Sequence, residues 1–288
     1  MSLFAFGLGY SASCVIDRGL LGPAAGTARS AAAVEAWRRK GVDAYPFGGA
    51  DFAPGRREAL RRAEVLLISI PPDADGDPAL RTFASTIVET RALRIVYLST
   101  VGVYGDISGA WVDESSPTAA TARARARLEA EAGWRALGER AGVPVDILRL
   151  AGIYGPGRST FDRLRDGTAR RVIKPGQVFN RIHVEDIACA VEAVVAAGRP
   201  GDVYNVADGA PSPPEDVIAY AAQRLGVAAP PEESFAQARL SPMSRSFYEE
   251  NRRVRVEKLM ALGWAPAYPS YREGLAAIHS VEVERQTG

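Results

Sequence analysis

Cysteine and histidine are almost missing from this chain of 288 residues: Cys14, Cys189, His183 and His279 are all it has. Two cysteines cannot build a disulfide framework, and two scattered histidines have no metal-ligand spacing. A stapled domain and a zinc-type centre are thereby excluded as organising principles. Net charge is also missing. Lys and Arg number 35 against 34 Asp and Glu, and this balance of +1 gives no global attraction to nucleic acid or an anionic membrane. No stretch approaches the roughly 18 apolar residues needed to span a bilayer. The first apolar segment, Leu3 to Ile16, ends in the small residues Ser11-Ala12-Ser13-Cys14, but no basic residue precedes it and Gly7 and Gly9 interrupt it. That is not the pattern of a signal peptide. The expectation is a soluble cytoplasmic protein, monomer or homodimer, with no nucleic-acid or membrane partner.

What the chain does have is core material: 47% of residues are hydrophobic and 24% charged, an ordinary globular balance for one large α/β unit with an appendage. Short apolar runs alternate with helical patterns. Leu3–Phe6, Ala24–Ala28, Val42–Tyr45, Val65–Ile70, Ile95–Ser99 and Val145–Leu150 read as buried strands. The first is followed by a helix through about Leu21; Ala31–Lys40 and Pro78–Arg91 read as further helices. Near-continuous apolar strands alternating with helices predict a doubly wound parallel sheet covered on both faces. Beyond Gly155 the pattern loosens. Helices are expected over Ser159–Arg170, over Glu185–Gly198 and from Pro211–Pro214 towards Gly226, with a strand at Val203–Val206. Residues 228–252 read as a surface excursion or lid.

Chemistry enters at Gly7-Leu8-Gly9-Tyr10-Ser11-Ala12, which follows a strand and opens a helix. In that context Gly7 permits the tight turn, Gly9 lets backbone approach a pyrophosphate, and Ala12 keeps helix and strand close. The helix N-terminus adds N–H groups and a favourable dipole. About 20 residues on, where a carboxylate would bind the ribose 2′-hydroxyl of NAD, stands Gly26-Thr27-Ala28-Arg29-Ser30. Arg29 offers a planar fork to a 2′-phosphate and Ser30 a hydroxyl beside it, so NADP is favoured over NAD.

Later segments resemble the extended short-chain dehydrogenase/reductases, the NAD(P)-dependent epimerase/dehydratase family. Ile95 to Asp106 (IVYLSTVGVYGD) is similar to the fifth strand and turn of that family, and Leu148 to Gly157 (LRLAGIYGPG) to the sixth strand and its exit. Arg181 to Ala188 (RIHVEDIA), Val203 to Ala207 and Leu262 to Pro266 are similar to later family segments. The resemblance implies a Rossmann-like body over 1–156, rejoined by 181–206, and a smaller C-terminal α/β substrate-binding part over 157–180 and 207–288. It also implies a catalytic Ser/Thr and a Tyr-x-x-x-Lys pair. Thr100 takes the Ser/Thr position, with Tyr104 in the adjacent turn. The Tyr and Lys positions carry Arg123 and Arg127 instead. Arginine stays protonated and cannot act as a general base. Arg123, Arg127, Glu131 and Arg135 also follow i, i+4 spacing, as on a solvated, ion-paired helix face.

The expected cofactor-binding residues are Gly7, Gly9, Tyr10, Ser11, Ala12, Arg29, Ser30, Ile70, Pro71 and Ser99. The expected catalytic residues are Thr100, Tyr104, Arg123 and Arg127. Asp73, Asp75 and Asp77 after the fourth strand could serve as a substitute acid/base or as ordinary turn residues. His183 and both cysteines read as packing residues. Arg252, Arg253 and Arg255 could bind a phosphate or carboxylate or form a solvated charge run. Two functions follow: an NADP-dependent oxidoreductase or epimerase/dehydratase-like enzyme acting on a small, sugar-nucleotide or other anionic, substrate, or a non-catalytic NAD(P)-binding sensor.

Overall fold

The computed structural model describes residues 1–19, 21–48, 54–119, 121–197 and 199–287, with the backbone alone at Pro54, Arg123 and 285–287. The first half alternates: β1 (Leu3–Phe6), α1 (Tyr10–Asp17), β2 (Ala24–Ala28), α2 (Ala31–Arg39), β3 (Asp43–Pro46), α3 (Pro54–Arg62), β4 (Val65–Ile68), α4 (Pro78–Val88) and β5 (Arg94–Thr100). A 3-10 turn over Val101–Tyr104 ends β5. There follow β6 (Trp111–Val112), α5 (Ala122–Ala141), β7 (Val145–Leu150), β8 (Gly152–Tyr154), α6 (Thr160–Arg165), β9 (Arg171–Ile173), β10 (Arg181–His183), α7 (Val184–Ala196) and β11 (Val203–Val206). The chain closes with α8 (Pro214–Leu225), β12 (Glu232–Ser234), α9 (Pro242–Tyr248), β13 (Arg253–Val254), α10 (Glu257–Met260) and α11 (Tyr271–Thr287).

Seven strands make one parallel sheet in the order β3-β2-β1-β4-β5-β7-β11. The order reverses between β1 and β4, which opens a crevice at the carboxyl ends of the strands. Period-two alternation feeds a core on each face. Leu3, Ala5, Val65, Leu67, Val96 and Leu98 pack with residues of α1, α2 and α7. Phe4, Phe6, Leu66, Ile68, Ile95 and Tyr97 pack with α4 and α5, where Phe6 meets the Phe83 ring at 5.0 Å. A Rossmann-like layered body results. Outside the sheet, Tyr154, Phe161, Val217, Tyr271, Leu275 and Ile278 form a separate cluster joining α6, α8 and α11.

Several elements stop sooner than their patterns suggest. The helix expected over Ser159–Arg170 ends at Arg165, because Gly167 takes a left-handed φ of +71° and the Asp166 carboxylate accepts from the Thr168 N–H. Likewise β4 ends at Ile68, α1 at Asp17 and α4 at Val88. The expected end of α7 at Gly198 lies outside the described residues. The segment 228–252 is more than an excursion: β12 pairs in parallel with β9, and Val172, Ala238 and Tyr248 bury one another. Among the described residues no helix is long and apolar enough to cross a membrane.

Candidate functional site

The turn from β1 into α1 is shaped for close approach of a ligand. Gly7 has φ +94°, and a Cβ there would stand 2.9 Å from Ile70 Cγ1. Its N–H donates to Thr27 Oγ1 at 3.0 Å, fixing the turn against β2. Gly9 is the N-cap of α1 in extended conformation, and a Cβ there would meet nothing within 4 Å. The first turn of α1 therefore presents its N–H groups across open space. Ser11 and Ala12 are buried beneath it. Tyr10 reaches away to donate to the Pro156 carbonyl at 3.0 Å, linking this turn to the exit of β8, and burial pushes its hydroxyl up to about 12.

Strand order brings the other expected residues to the same edge. Arg29 and Ser30 follow β2, Ile70 and Pro71 follow β4, and Ser99 and Thr100 end β5. Arg29 is exposed and makes no hydrogen bond or ion pair among the described residues. The Ser30 hydroxyl accepts from the Ala33 N–H at 3.2 Å, capping α2, so it is committed as an acceptor but keeps its donor.

At the end of β5 a polar network takes up Glu131, which was expected on a solvated helix face, and Arg127 is half-buried beside it, while Arg135 is exposed as expected. Glu131 is 4% exposed. It accepts from the Ser99 hydroxyl at 2.5 Å and, through both oxygens, from Arg149 at 3.2 and 2.8 Å. Arg149 also donates to the Tyr104 hydroxyl at 3.0 Å, which donates to Asn205 Oδ1 at 2.8 Å. Tyr104 is thus enclosed with its hydroxyl occupied on both sides, and burial raises its pKa. Thr100, half-buried, caps the following turn by accepting from the Gly102 N–H at 3.1 Å. Arg127 donates to the Tyr97 hydroxyl and to the Leu98 carbonyl, both at 3.2 Å. The side chain of Arg123 lies outside the described residues.

The remaining candidates sort by surroundings. Asp77 caps α4 at the Leu80 N–H and accepts from Trp134 Nε1 at 2.9 Å, while exposed Asp73 pairs with Arg81. These are turn and cap contacts. His183 is enclosed between the rings of Tyr154 and Tyr268, and burial lowers its pKa. Cys14 and Cys189 are half-buried against the core, and burial pushes the Cys14 thiol up to about 11. Asp186 holds the C-terminal segment: its carboxylate accepts from the Ala267 and Tyr268 N–H groups, and its carbonyl from Trp264 Nε1.

A cavity of about 610 Å³ lies between α6, α8 and α9, walled by Arg163, Arg170, Arg181 and Arg239 with Phe179 and Tyr248. Arg170 is neutralised by Glu233, but Arg163 and Arg239 make no ion pair among the described residues. Sequence reasoning set Glu131 on a solvated helix face and passed over Arg149 and this cavity. One signal was available: Arg149 is a charged residue inside the apolar strand Val145–Leu150. The cavity gives none, since Arg239 comes from a segment remote from Arg163, Arg170 and Arg181, and nothing in the sequence marks the two as facing each other.

Residues 80–207 match the family model described as the NAD dependent epimerase/dehydratase family. The chain is 31% identical over 210 residues to protein YeeZ of Escherichia coli strain K12, an alignment covering 68% of this chain and 73% of that protein. It is 43% identical to a functionally unknown conserved protein from Silicibacter pomeroyi DSS, with a TM-score of 0.86 over 98% of this chain and 99% of the other. It is also similar to DesIV, the dTDP-glucose 4,6-dehydratase of Streptomyces venezuelae, solved with NAD and DAU bound. There the TM-score is 0.78 over 100% and 98% of the two chains, and at 20% identity the likeness is one of fold.

Proposed function

The chain belongs to the NAD dependent epimerase/dehydratase family and is an NAD(P)-dependent enzyme of oxidoreductase type; we propose that it uses NADP in preference to NAD and acts on a small anionic substrate. Unpaired Arg29 at the end of β2, where a carboxylate would select the 2′-hydroxyl, carries the cofactor preference. Gly7, Gly9, Ser11, Ala12 and the backbone of Tyr10 would hold the pyrophosphate. Arg29 and Ser30 would take the 2′-phosphate, with Ile70, Pro71 and Ser99 lining the crevice. When bound, the dinucleotide supplies a hydride acceptor or donor.

The residues of the chain then bind, orient and move protons. Thr100 is the group we assign to the reacting oxygen of the substrate, its hydroxyl set at the strand end by Gly102. Arg127 braces that strand end through Tyr97 and Leu98, and Glu131 orients Ser99. None of the three lysines, Lys40, Lys174 and Lys258, has a tyrosine four residues before it. Proton transfer is therefore assigned to Thr100 through water or to the substrate itself, not to a Tyr-Lys pair, with Arg123 and Arg127 fixing anions. The division into a body over 1–156 and 181–206 and a smaller part is kept in this proposal, and the arginine-walled cavity is where an anionic end of the substrate would rest. Calorimetric titration with NADP and NAD is the test. We expect at least about tenfold tighter binding of NADP, abolished in Arg29→Asp. Equal affinities, or a preference that survives the substitution, would sink the proposal.

A further inference from the structure

The basic run at 252–255 is engaged with the chain itself. Arg252 and Arg253 donate to the Gly105 and Gly109 carbonyls, and Arg255 pairs with Glu257 at 3.3 Å. The arginine-walled cavity differs, because its wall is graded. Arg163, Arg239 and Phe247 are exposed, whereas Val172, Val217, Ile218 and Tyr248 are buried. The two arginines without ion pairs therefore stand at the mouth, and apolar side chains close the interior. Of the two half-buried arginines, Arg170 pairs with Glu233, while Arg181 has no carboxylate partner among the described residues.

A backbone bridge fixes Arg181. Phe179 and Ser212 exchange two hydrogen bonds at 2.9 and 3.1 Å, and Arg181 Nη1 donates to both of their carbonyls, at 3.0 and 3.2 Å. Nε and Nη2 take no hydrogen bond among the described residues, and neither is enclosed, so this edge of the guanidinium is open where the residue lines the cavity. Burial lowers the Arg181 pKa against the pull of Asp208, which is itself pushed up to about 7. The cation is short of negative charge in surroundings poor in water, which favours an anion as its ligand. The rest of the wall fixes the ligand's body. Phe179 meets Tyr248 edge-on with ring centroids 5.1 Å apart, and both line the cavity beside Val172, Val217 and Ile218. Among the described residues no Asp, Glu, Asn or Gln lines it. Its hydroxyls are few and largely committed: Thr168 donates to Asp166 at 2.6 Å and Ser241 to Ser244 at 2.9 Å. Sugars and nucleobases present mixed donors and acceptors, which a wall without carboxylates or amides leaves unmatched. An apolar body loses nothing there and gains by leaving water.

We propose that this cavity takes an aryl-substituted carboxylic acid, with the carboxylate on the free edge of Arg181 and the ring against Phe179, Tyr248 and the aliphatic wall; this rests on the reading of the cavity as the place where the substrate's anionic end rests. Nε and Nη2 carry parallel N–H donors that match the two oxygens of a carboxylate, a geometry an ammonium does not offer. Arg163 and Arg239 at the mouth draw anions in, and their exposure to salt and water leaves most of the affinity to Arg181 and the apolar wall.

The full chain, with and without saturating NADP, is titrated calorimetrically with cinnamate, with acetate, which lacks the ring, with cinnamamide, which lacks the charge, and with dTDP. We expect cinnamate to bind at least about tenfold more tightly than any of the other three. Arg181→Met should weaken cinnamate at least about tenfold and Arg181→Lys several-fold, whereas Arg163→Ala should cost about twofold or less at about 0.15 M salt. Phe179→Ala should weaken cinnamate several-fold and leave acetate unchanged, a split that a general loss of structure would not produce. NADP affinity should stay within about twofold throughout. Cinnamate bound no more tightly than acetate or cinnamamide would overturn the proposal on the unaltered protein alone, and so would cinnamate affinity unchanged in both Arg181 variants. If dTDP binds more tightly than cinnamate and is weakened by Arg181→Met, the aryl acid is overturned and the cavity remains an anion site. If no anion binds in an Arg181-dependent way, the reading of the cavity falls as well. Failure of NADP to bind while cinnamate still follows Arg181 would count against the cofactor reading alone.

Discussion

Glu131 sits where a carboxylate is costly, and its cost is offset by two oxygens that accept three charge-assisted or hydroxyl hydrogen bonds from Ser99 and Arg149. Removing one partner of such a pair leaves an uncompensated buried charge, which is worse than removing both. Arg149→Met should therefore lower stability in urea denaturation by about 3–5 kcal/mol, and the double variant Glu131→Gln, Arg149→Met should recover part of that loss. A single variant within about 0.5 kcal/mol of the unaltered protein would show that the carboxylate does not depend on Arg149 for its pairing. The residue scale is also where the sequence misleads most. Arg123, Arg127, Glu131 and Arg135 have the spacing of a solvated ion-paired stripe, yet Glu131 points into the body because the partner at its level is Arg149 on β7, 18 residues away. Helical spacing reports which residues share a face and is silent about what that face covers.

Among elements, the strands of the central sheet were legible almost to the residue because most are predominantly apolar on both faces and bounded by turn chemistry. The short strands β6, β8, β9, β12 and β13 were not, since two or three residues carry no period. The β1–α1 turn shows a finer distinction within one motif. Gly7 needs its positive φ and its lack of a side chain, whereas Gly9 has φ −101°, a value any residue adopts, and faces open space. Gly7→Ala should destabilise the fold by about 1–3 kcal/mol through backbone strain and the clash with Ile70. Gly9→Val should leave the melting temperature within about 2 °C yet weaken NADP more than about tenfold, because its branched side chain fills the space a pyrophosphate would use. Thermal melts and titrations on the two variants separate the cases. A Gly9→Val protein that binds NADP normally would move the phosphate site elsewhere.

At the scale of the whole molecule, the joint between the sheet and the C-terminal part holds carboxylates in low-dielectric surroundings. Asp208, 4% exposed, follows β11 and accepts from the Ala210 N–H at 3.0 Å through Oδ1, while Oδ2 is enclosed without a hydrogen bond. Burial pushes its carboxyl up to about 7 from the ordinary 3.8, against the opposing pull of the Ala210 N–H and Arg181. A carboxyl with a raised folded pKa binds its proton more tightly when folded. Its contribution to stability is complete below the unfolded value and is lost as pH rises through the folded one. In Asp208→Asn the side chain is neutral at every pH and still accepts from Ala210, so that loss disappears. The variant should gain on the unaltered protein by about 1–2 kcal/mol between pH 5 and pH 8 in denaturant unfolding. Asp146, pushed up to about 6 by burial, and His183, lowered by burial, titrate in both proteins and cancel in the difference. A difference that stays flat from pH 5 to 8, or that shrinks, would show that Asp208 is ionised across that range and paired more strongly with Arg181 than its enclosed oxygen implies.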